Sequence, residues 1–233
     1  MKKGGAAMPI HRIASLLAVL TAAVMSVLAA PALAQSAFPS KPLRIIVPVT
    51  TGGPSDLVAR LLARELETAL GKPVLVDNRP GASQTVGANA VAKAEPDGHT
   101  LLQAAANMAI NPFLMGDLPY DTVKDFAPVT LLRALAVTTP QRNAVFPNIP
   151  TAMEQGVSGY DFASWGGLFA PANTPRAVVM QLNAEVRRAL TGEALRKRFD
   201  DMGLVAKPSS PGEFGAFLQS EMARWKGLVK RAP

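Results

Sequence analysis

Residues 43–49 read Leu-Arg-Ile-Ile-Val-Pro-Val, a short β-branched run fit for a buried parallel strand. Over residues 56–70 the apolar side chains Leu57, Val58, Leu61, Leu62, Leu66 and Leu70 recur at helical spacing, and Gly71 stops the helix. Residues 74–76 predict a second strand, Asn78-Arg79-Pro80-Gly81 a turn, residues 86–94 a helix of small side chains, and residues 100–104 a third strand. Strand, helix, strand, helix, strand in this order predicts an α/β fold, a mostly parallel sheet with helices on both faces.

The second half is less regular. Residues 106–125 read as loop, punctuated by Asn111-Pro112 and Leu118-Pro119-Tyr120-Asp121. Residues 129–138 form an unusually long strand-like run with no turn signal inside it. A short helix is expected to open at Pro147-Asn148-Ile149-Pro150-Thr151, an aromatic strand over residues 160–170, helices over 176–190 and 193–201, and a short strand over 204–206. The last helix carries a capping box, with Ser210 as N-cap, Pro211 in the first turn and Glu213 three residues on. It is expected to run to about Lys230 behind Phe214, Phe217, Leu218, Trp225 and Leu228.

The beginning of the chain has a different pattern. Lys2, Lys3, His11 and Arg12 precede an apolar run from Ile13 to Ala30, which ends at Pro31-Ala32-Leu33-Ala34-Gln35. A basic head, an apolar middle and a small-x-small end predict a cleavable signal peptide over residues 1–34 and export to the periplasm. Of the 233 residues 199 follow it, enough for one large domain or two small ones. Three of the +7 formal charges lie on Lys2, Lys3 and Arg12, leaving +4. The remaining basic residues alternate with acidic ones, as at Arg60, Arg64, Glu65 and Glu67, which argues against a nucleic-acid partner.

There is no cysteine, so disulfides, thiol catalysis and cysteine-ligated metals are excluded. Only His99 remains outside the leader, following the turn Pro96-Asp97-Gly98, and it reads as a surface residue at a strand start. Asp117, Asp121, Asp125, Asp200 and Asp201 read as solvated, with no acid/base pair among them. No catalytic residue, metal ligand or cofactor is expected.

One segment has a physical reason to bind. Thr50-Thr51-Gly52-Gly53-Pro54-Ser55-Asp56 lies between a strand's carboxyl end and a helix's amino end, where open α/β sheets place ligands. Backbone N–H groups, the helix dipole and the hydroxyls of Thr50, Thr51 and Ser55 favour a carboxylate or phosphate. Equally open is the reading in which Ser55 or Asp56 merely caps the helix. The segment lacks the P-loop and dinucleotide-binding glycine patterns.

A longer set of motifs carries a resemblance. In order come Phe38-Pro39-Ser40-Lys41-Pro42-Leu43-Arg44, Gly52-Gly53-Pro54-Ser55-Asp56, Asn78-Arg79-Pro80-Gly81-Ala82 and Pro96-Asp97-Gly98-His99-Thr100-Leu101-Leu102. Ala109-Ile110-Asn111-Pro112, Leu118-Pro119-Tyr120-Asp121, Lys124-Asp125-Phe126-Ala127-Pro128-Val129, Arg133-Ala134-Leu135-Ala136-Val137-Thr138, Pro150-Thr151 and Gly167-Leu168-Phe169-Ala170-Pro171-Ala172 follow. Over residues 38–230 the chain resembles the Bug family, periplasmic substrate-binding proteins of tripartite tricarboxylate transporters. The resemblance implies a two-lobed Venus-flytrap fold that captures a small carboxylate, citrate-like or another organic acid. It also implies delivery to one large and one small membrane subunit. Thr50, Thr51, Gly52, Gly53, Ser55, Asp56, Ala106 and Asn107 would be the ligand contacts of the first lobe.

The chain departs from that pattern at one point. In the family a stretch like residues 126–132 leads into a second lobe, which returns through a strand like residues 133–138; here Leu132 joins Arg133 directly. Roughly a hundred residues, the size of a small domain, have no counterpart. The expected organisation is therefore a single flytrap lobe, with residues 35–132 as its first part and 133–233 as its second, and the second lobe largely absent. Residues 129–138 would be two hinge strands fused end to end, with Leu131, Leu132 and Leu135 bared towards the missing lobe. The alternatives to an impaired solute receptor are a ligand-independent interaction module and a non-functional truncated product.

Overall fold

The computed structural model describes residues 38–135, 151, 153–155 and 164–229. The strands are β1 (Leu43–Val47), β2 (Val74–Asn78), β3 (Thr100–Ala105), β4 (Phe126–Leu135), β5 (Ser164–Pro171) and β6 (Leu204–Ala206). The helices are α1 (Pro54–Leu70), α2 (Thr85–Ala92), α3 (Asn107–Leu114), α4 (Arg176–Thr191), α5 (Glu193–Asp201) and α6 (Pro211–Val229). The expected leader, the expected helix start before Thr151 and the expected strand beginning before Ser164 lie outside the described residues. No described helix is long and apolar enough to cross a membrane.

The strands form one sheet in the order β2-β1-β3-β5-β4-β6. β1 pairs in parallel with β2 and β3, as the alternating pattern predicts. Beyond β3 the pairing turns antiparallel, because β5 inserts between β3 and β4. β1 to β4 all point one way, and β5 and β6 run back against them.

Side chains alternate along each strand, so the sheet has two apolar faces and each is covered by helices. Leu43, Ile45, Val47, Leu101 and Leu168 pack with Val58, Leu62 and Leu66 of α1, Val186 of α4 and Phe199 of α5. Ile46, Leu102 and Phe169 pack the other way, with Val91 of α2, Met108 of α3 and Phe214 of α6. The capping box of α6 forms as its spacing predicts: the Glu213 N–H donates to Ser210 Oγ at 3.2 Å and the Ser210 N–H to Glu213 Oε2 at 2.8 Å.

β4 carries two bulges, with register shifts between Pro128 and Thr130 and between Leu131 and Arg133. Bulges leave backbone groups off the ladder, and side chains take them up. Asn183 Nδ2 donates to the Val129 carbonyl at 2.7 Å, and the Leu131 N–H donates to Ser209 Oγ at 3.0 Å. Leu131 and Leu132 are buried, each in one of the two cores, rather than bared as expected. Helices α4 and α6 cover them from the two sides of the sheet.

The expected loop over 106–125 contains the eight-residue α3, in which Pro112 sits inside the helix. Proline has no N–H to give the carbonyl four residues back, here Met108. Thr122 Oγ1 donates to that carbonyl instead at 3.1 Å, from a buried position. The punctuation of Asn111-Pro112 suggested a break that Thr122 repairs.

His99 is buried, not on the surface. Its Nε2 accepts the Ser40 N–H at 3.2 Å, and its Nδ1 lies 3.3 Å from Asp97 Oδ1. The Phe38 ring lies 4.9 Å away, centroid to centroid. His99 thus fastens the segment entering β1 and is taken up by structure. Burial works to raise the Asp97 carboxyl, but Lys41 at 2.8 Å and the His99 backbone N–H hold it below its ordinary value.

Candidate functional site

The three parallel strands β2, β1 and β3 lie side by side and end at the same edge, so the loops that follow them meet there. Each loop runs directly into a helix: Val49–Gly53 into α1, Arg79–Gln84 into α2, and Ala106 into α3. Three helix amino ends therefore crowd one edge of the sheet, where unpaired N–H groups and the dipoles favour an anion.

In the first loop Thr50, Thr51 and Gly52 are exposed and Gly53 is half-buried. Gly52 has φ +88°, which a side chain would strain. A Cβ on Gly52 or Gly53 would meet no described residue within 4 Å, so the backbone faces open space. Ser55 is half-buried and already engaged within the chain.

Asp56 is removed from the expected ligand contacts. It is 2% exposed, and both carboxylate oxygens are occupied. Oδ2 accepts the Gly52 N–H at 2.9 Å and Arg60 Nε at 3.0 Å, while Oδ1 accepts Asn78 Nδ2 at 2.9 Å. Asn78 Nδ2 also donates to the Val49 carbonyl at 3.1 Å, and Arg60 Nη2 to Asn78 Oδ1 at 3.0 Å. The closed network ties β2 to the first loop and sets the loop's shape from behind. Burial works to raise the Asp56 carboxyl, yet Arg60, the Gly52 N–H and Asn78 together hold it below its ordinary value.

The second loop was legible only as a turn, and it holds the site's strain. Ala82, Ser83 and Gln84 have φ of +43°, +53° and +75°, three successive left-handed residues without a glycine among them. Such backbone costs on the order of 1–3 kcal/mol per residue and persists only where the surroundings fix it. Asn111 Nδ2 donates to the Ser83 carbonyl at 2.9 Å, and Gln84 Nε2 donates to Asn107 Oδ1 at 3.1 Å. Gln84 in the left-handed region is followed by right-handed Thr85, an alternation of the kind from which anion-binding concavities are built.

Asn107 is thus placed beside this second loop, and the exposed Thr50–Gly53 backbone lies on the neighbouring strand end. Ala106 is buried, and its carbonyl opens α3 by accepting the Ala109 and Ile110 N–H groups at 2.9 and 3.1 Å. The sequence reading missed Arg60, Asn78 and Gln84. Asn at a strand's end and Arg one turn beyond Asp56 were the available signals. The edge carries helix amino ends and an open glycine backbone, with no group of three or more metal-ligating side chains among the described residues.

A family model described as the tripartite tricarboxylate transporter family receptor matches residues 58–132 and 130–233. Its two matches meet inside β4, at the second bulge. BugT of Bordetella pertussis is 25% identical over 302 residues, covering 87% of this chain and 92% of the relative. Because 87% of 233 residues is about 203, that alignment passes over roughly a hundred positions of BugT. A solved periplasmic transporter is 25% identical with a TM-score of 0.79, covering 84% of this chain and 98% of the other. MatC of Rhodopseudomonas palustris, solved with bound malate, is 26% identical with a TM-score of 0.75, covering 82% and 100%. With most of its length matched in this way, the chain belongs to the tripartite tricarboxylate transporter receptor family, that of the Bug proteins.

Proposed function

We propose that this chain is an exported solute receptor reduced to its first lobe, which retains a carboxylate-facing edge and has lost the opposing wall. The observation that carries the reading is the openness of Gly52 and Gly53 at an edge built of helix amino ends. Malate in MatC supports a small organic acid as the ligand class. The meeting of the two family matches at Leu132 supports the loss of the second lobe between Leu132 and Arg133. Residues 1–34 direct export in this reading, and N-terminal sequencing of the periplasmic form should begin at about Gln35.

Binding sites for small molecules bury most of the ligand's surface. A single wall leaves a carboxylate half hydrated, and hydrogen bonds that compete with water contribute less. Losing half of the contacts turns a micromolar ligand, about −8 kcal/mol, into a millimolar one, about −4 kcal/mol. Calorimetry of the exported chain with citrate and with malate tests this. Weak, millimolar binding that disappears when Gly52 and Gly53 are both replaced by valine supports it; a micromolar dissociation constant for the monomer refutes it.

A further inference from the structure

Along the seam between α1 and the carboxyl end of α5 lies an open cavity of about 420 Å3. Its apolar lining is formed by Leu57, Leu61 and Met202, of which Leu57 is 44% exposed. Arg60, Arg64 and Arg198 stand around it. Arg60 is committed to Asp56 and Asn78, and Asp201, the carboxylate on the lining, faces Lys197 at 3.3 Å. Arg64 and Arg198 have no anionic partner among the described residues.

Isolated arginines on a surface are ordinary. Two that border one largely apolar concavity, neither of them paired with the Asp201 carboxylate on its lining, are complementary to a molecule with a negative head and a greasy body. The volume falls within the range of small-molecule sites. Guanidinium groups suit a carboxylate geometrically, and apolar floor area contributes to affinity in proportion to the surface it removes from water. The Thr50–Gly53 edge differs in kind, since it offers neutral donors to a hydrophilic acid.

We infer that the α1–α5 seam binds an amphiphilic monoanion, a medium-chain carboxylate, with its head on Arg64 and Arg198 and its chain on Leu57, Leu61 and Met202. The site stands apart from the receptor reading and does not depend on it.

Methyl NMR of the full chain titrated with decanoate, below its micellar range, tests the assignment. Saturable shifts confined to the methyls of Leu57, Leu61 and Met202 are expected, with a dissociation constant below about 1 mM. Acetate, a head without a chain, and decanol, a chain without a head, should each bind at least about tenfold more weakly. The double variant R64Q/R198Q, at exposed positions, should weaken decanoate by about tenfold or more while the tryptophan fluorescence of the chain stays unchanged. Equal affinity for decanol, equal affinity in the double variant, or shifts that never saturate would each overturn the inference.

Discussion

Replacing Asp56 by alanine tests whether the loop under the candidate site is held from behind. The substitution removes the acceptor for three donors: the Gly52 N–H at 2.9 Å, Asn78 Nδ2 at 2.9 Å and Arg60 Nε at 3.0 Å. Hydrogen bonds to a buried charged group contribute roughly 1.5 kcal/mol or more each, which gives about 3 kcal/mol for Gly52 and Asn78 together. Arg60 is 47% exposed, so its pairing adds under about 1 kcal/mol. Asn78 keeps the Val49 carbonyl as an acceptor, which lowers the loss. About 3 kcal/mol is therefore expected at neutral pH.

The sign with pH follows from the carboxyl being held below its ordinary value in the fold. Such a group stabilises the folded chain above the unfolded value, near pH 4, and loses that contribution as the pH falls through the folded one. Urea unfolding of the wild-type chain and D56A, followed by tryptophan fluorescence at a series of pH values, reads both effects. The gap should be widest at pH 7 and should close in acid. A gap under about 1 kcal/mol at pH 7, or one that stays constant down through the acid range, would refute the reasoning.

Three further outcomes can be checked, the first two in the same assay and the third by amide exchange. G167A places a methyl 2.1 Å from Phe214 Cζ in a packed aromatic cluster, and overpacking of this kind should cost roughly 1–3 kcal/mol, part of it recovered by adding F214L. T122V leaves the Met108 carbonyl without its donor and should cost about 1–3 kcal/mol; in P112A, where the helix supplies an N–H, the same change should cost less than half as much, and equal costs would remove Thr122 from its assigned role. H99F keeps the apolar contact with Phe38 but removes the acceptor for Ser40, so amide exchange at Ser40 should accelerate selectively, and uniform exchange across β1 would count against the fastening role.

The first half of the fold was legible because its strands and helices carry their own periodicity. β1, α1, β2, α2 and β3 each bury an apolar face against the layer next to them, and each pattern is local. What could not be read locally depends on partners distant in sequence. α3 survives Pro112 because Thr122 comes from beyond the helix. His99 is buried because the segment before β1 folds over it. The antiparallel half of the sheet follows from β5 slipping between β3 and β4, a choice made by tertiary packing. At the site the glycines and hydroxyls of Thr50–Gly53 were visible in one line of sequence. The inward turn of Asp56 was not, since it needs Asn78, 22 residues away.

The interleaving of the two matched segments explains how one lobe can stand by itself in the proposed reading. The two segments meet within β4: its residues 126–131 pair with β5, which belongs to the second segment, and its residues 133–135 pair with both β5 and β6. The first core needs α1 from one segment and α4 and α5 from the other; the second needs α2 and α3 with α6. Neither segment has a complete core, whereas the two together close both faces of the sheet. The proposed excision at Leu132 would fall in a strand that returning chain flanks on both sides, next to the bulge between Leu131 and Arg133. In that reading stability and ligand enclosure come apart: the apolar faces are satisfied within the lobe, while no described residue lies within 4 Å of where a side chain on Gly52 or Gly53 would point.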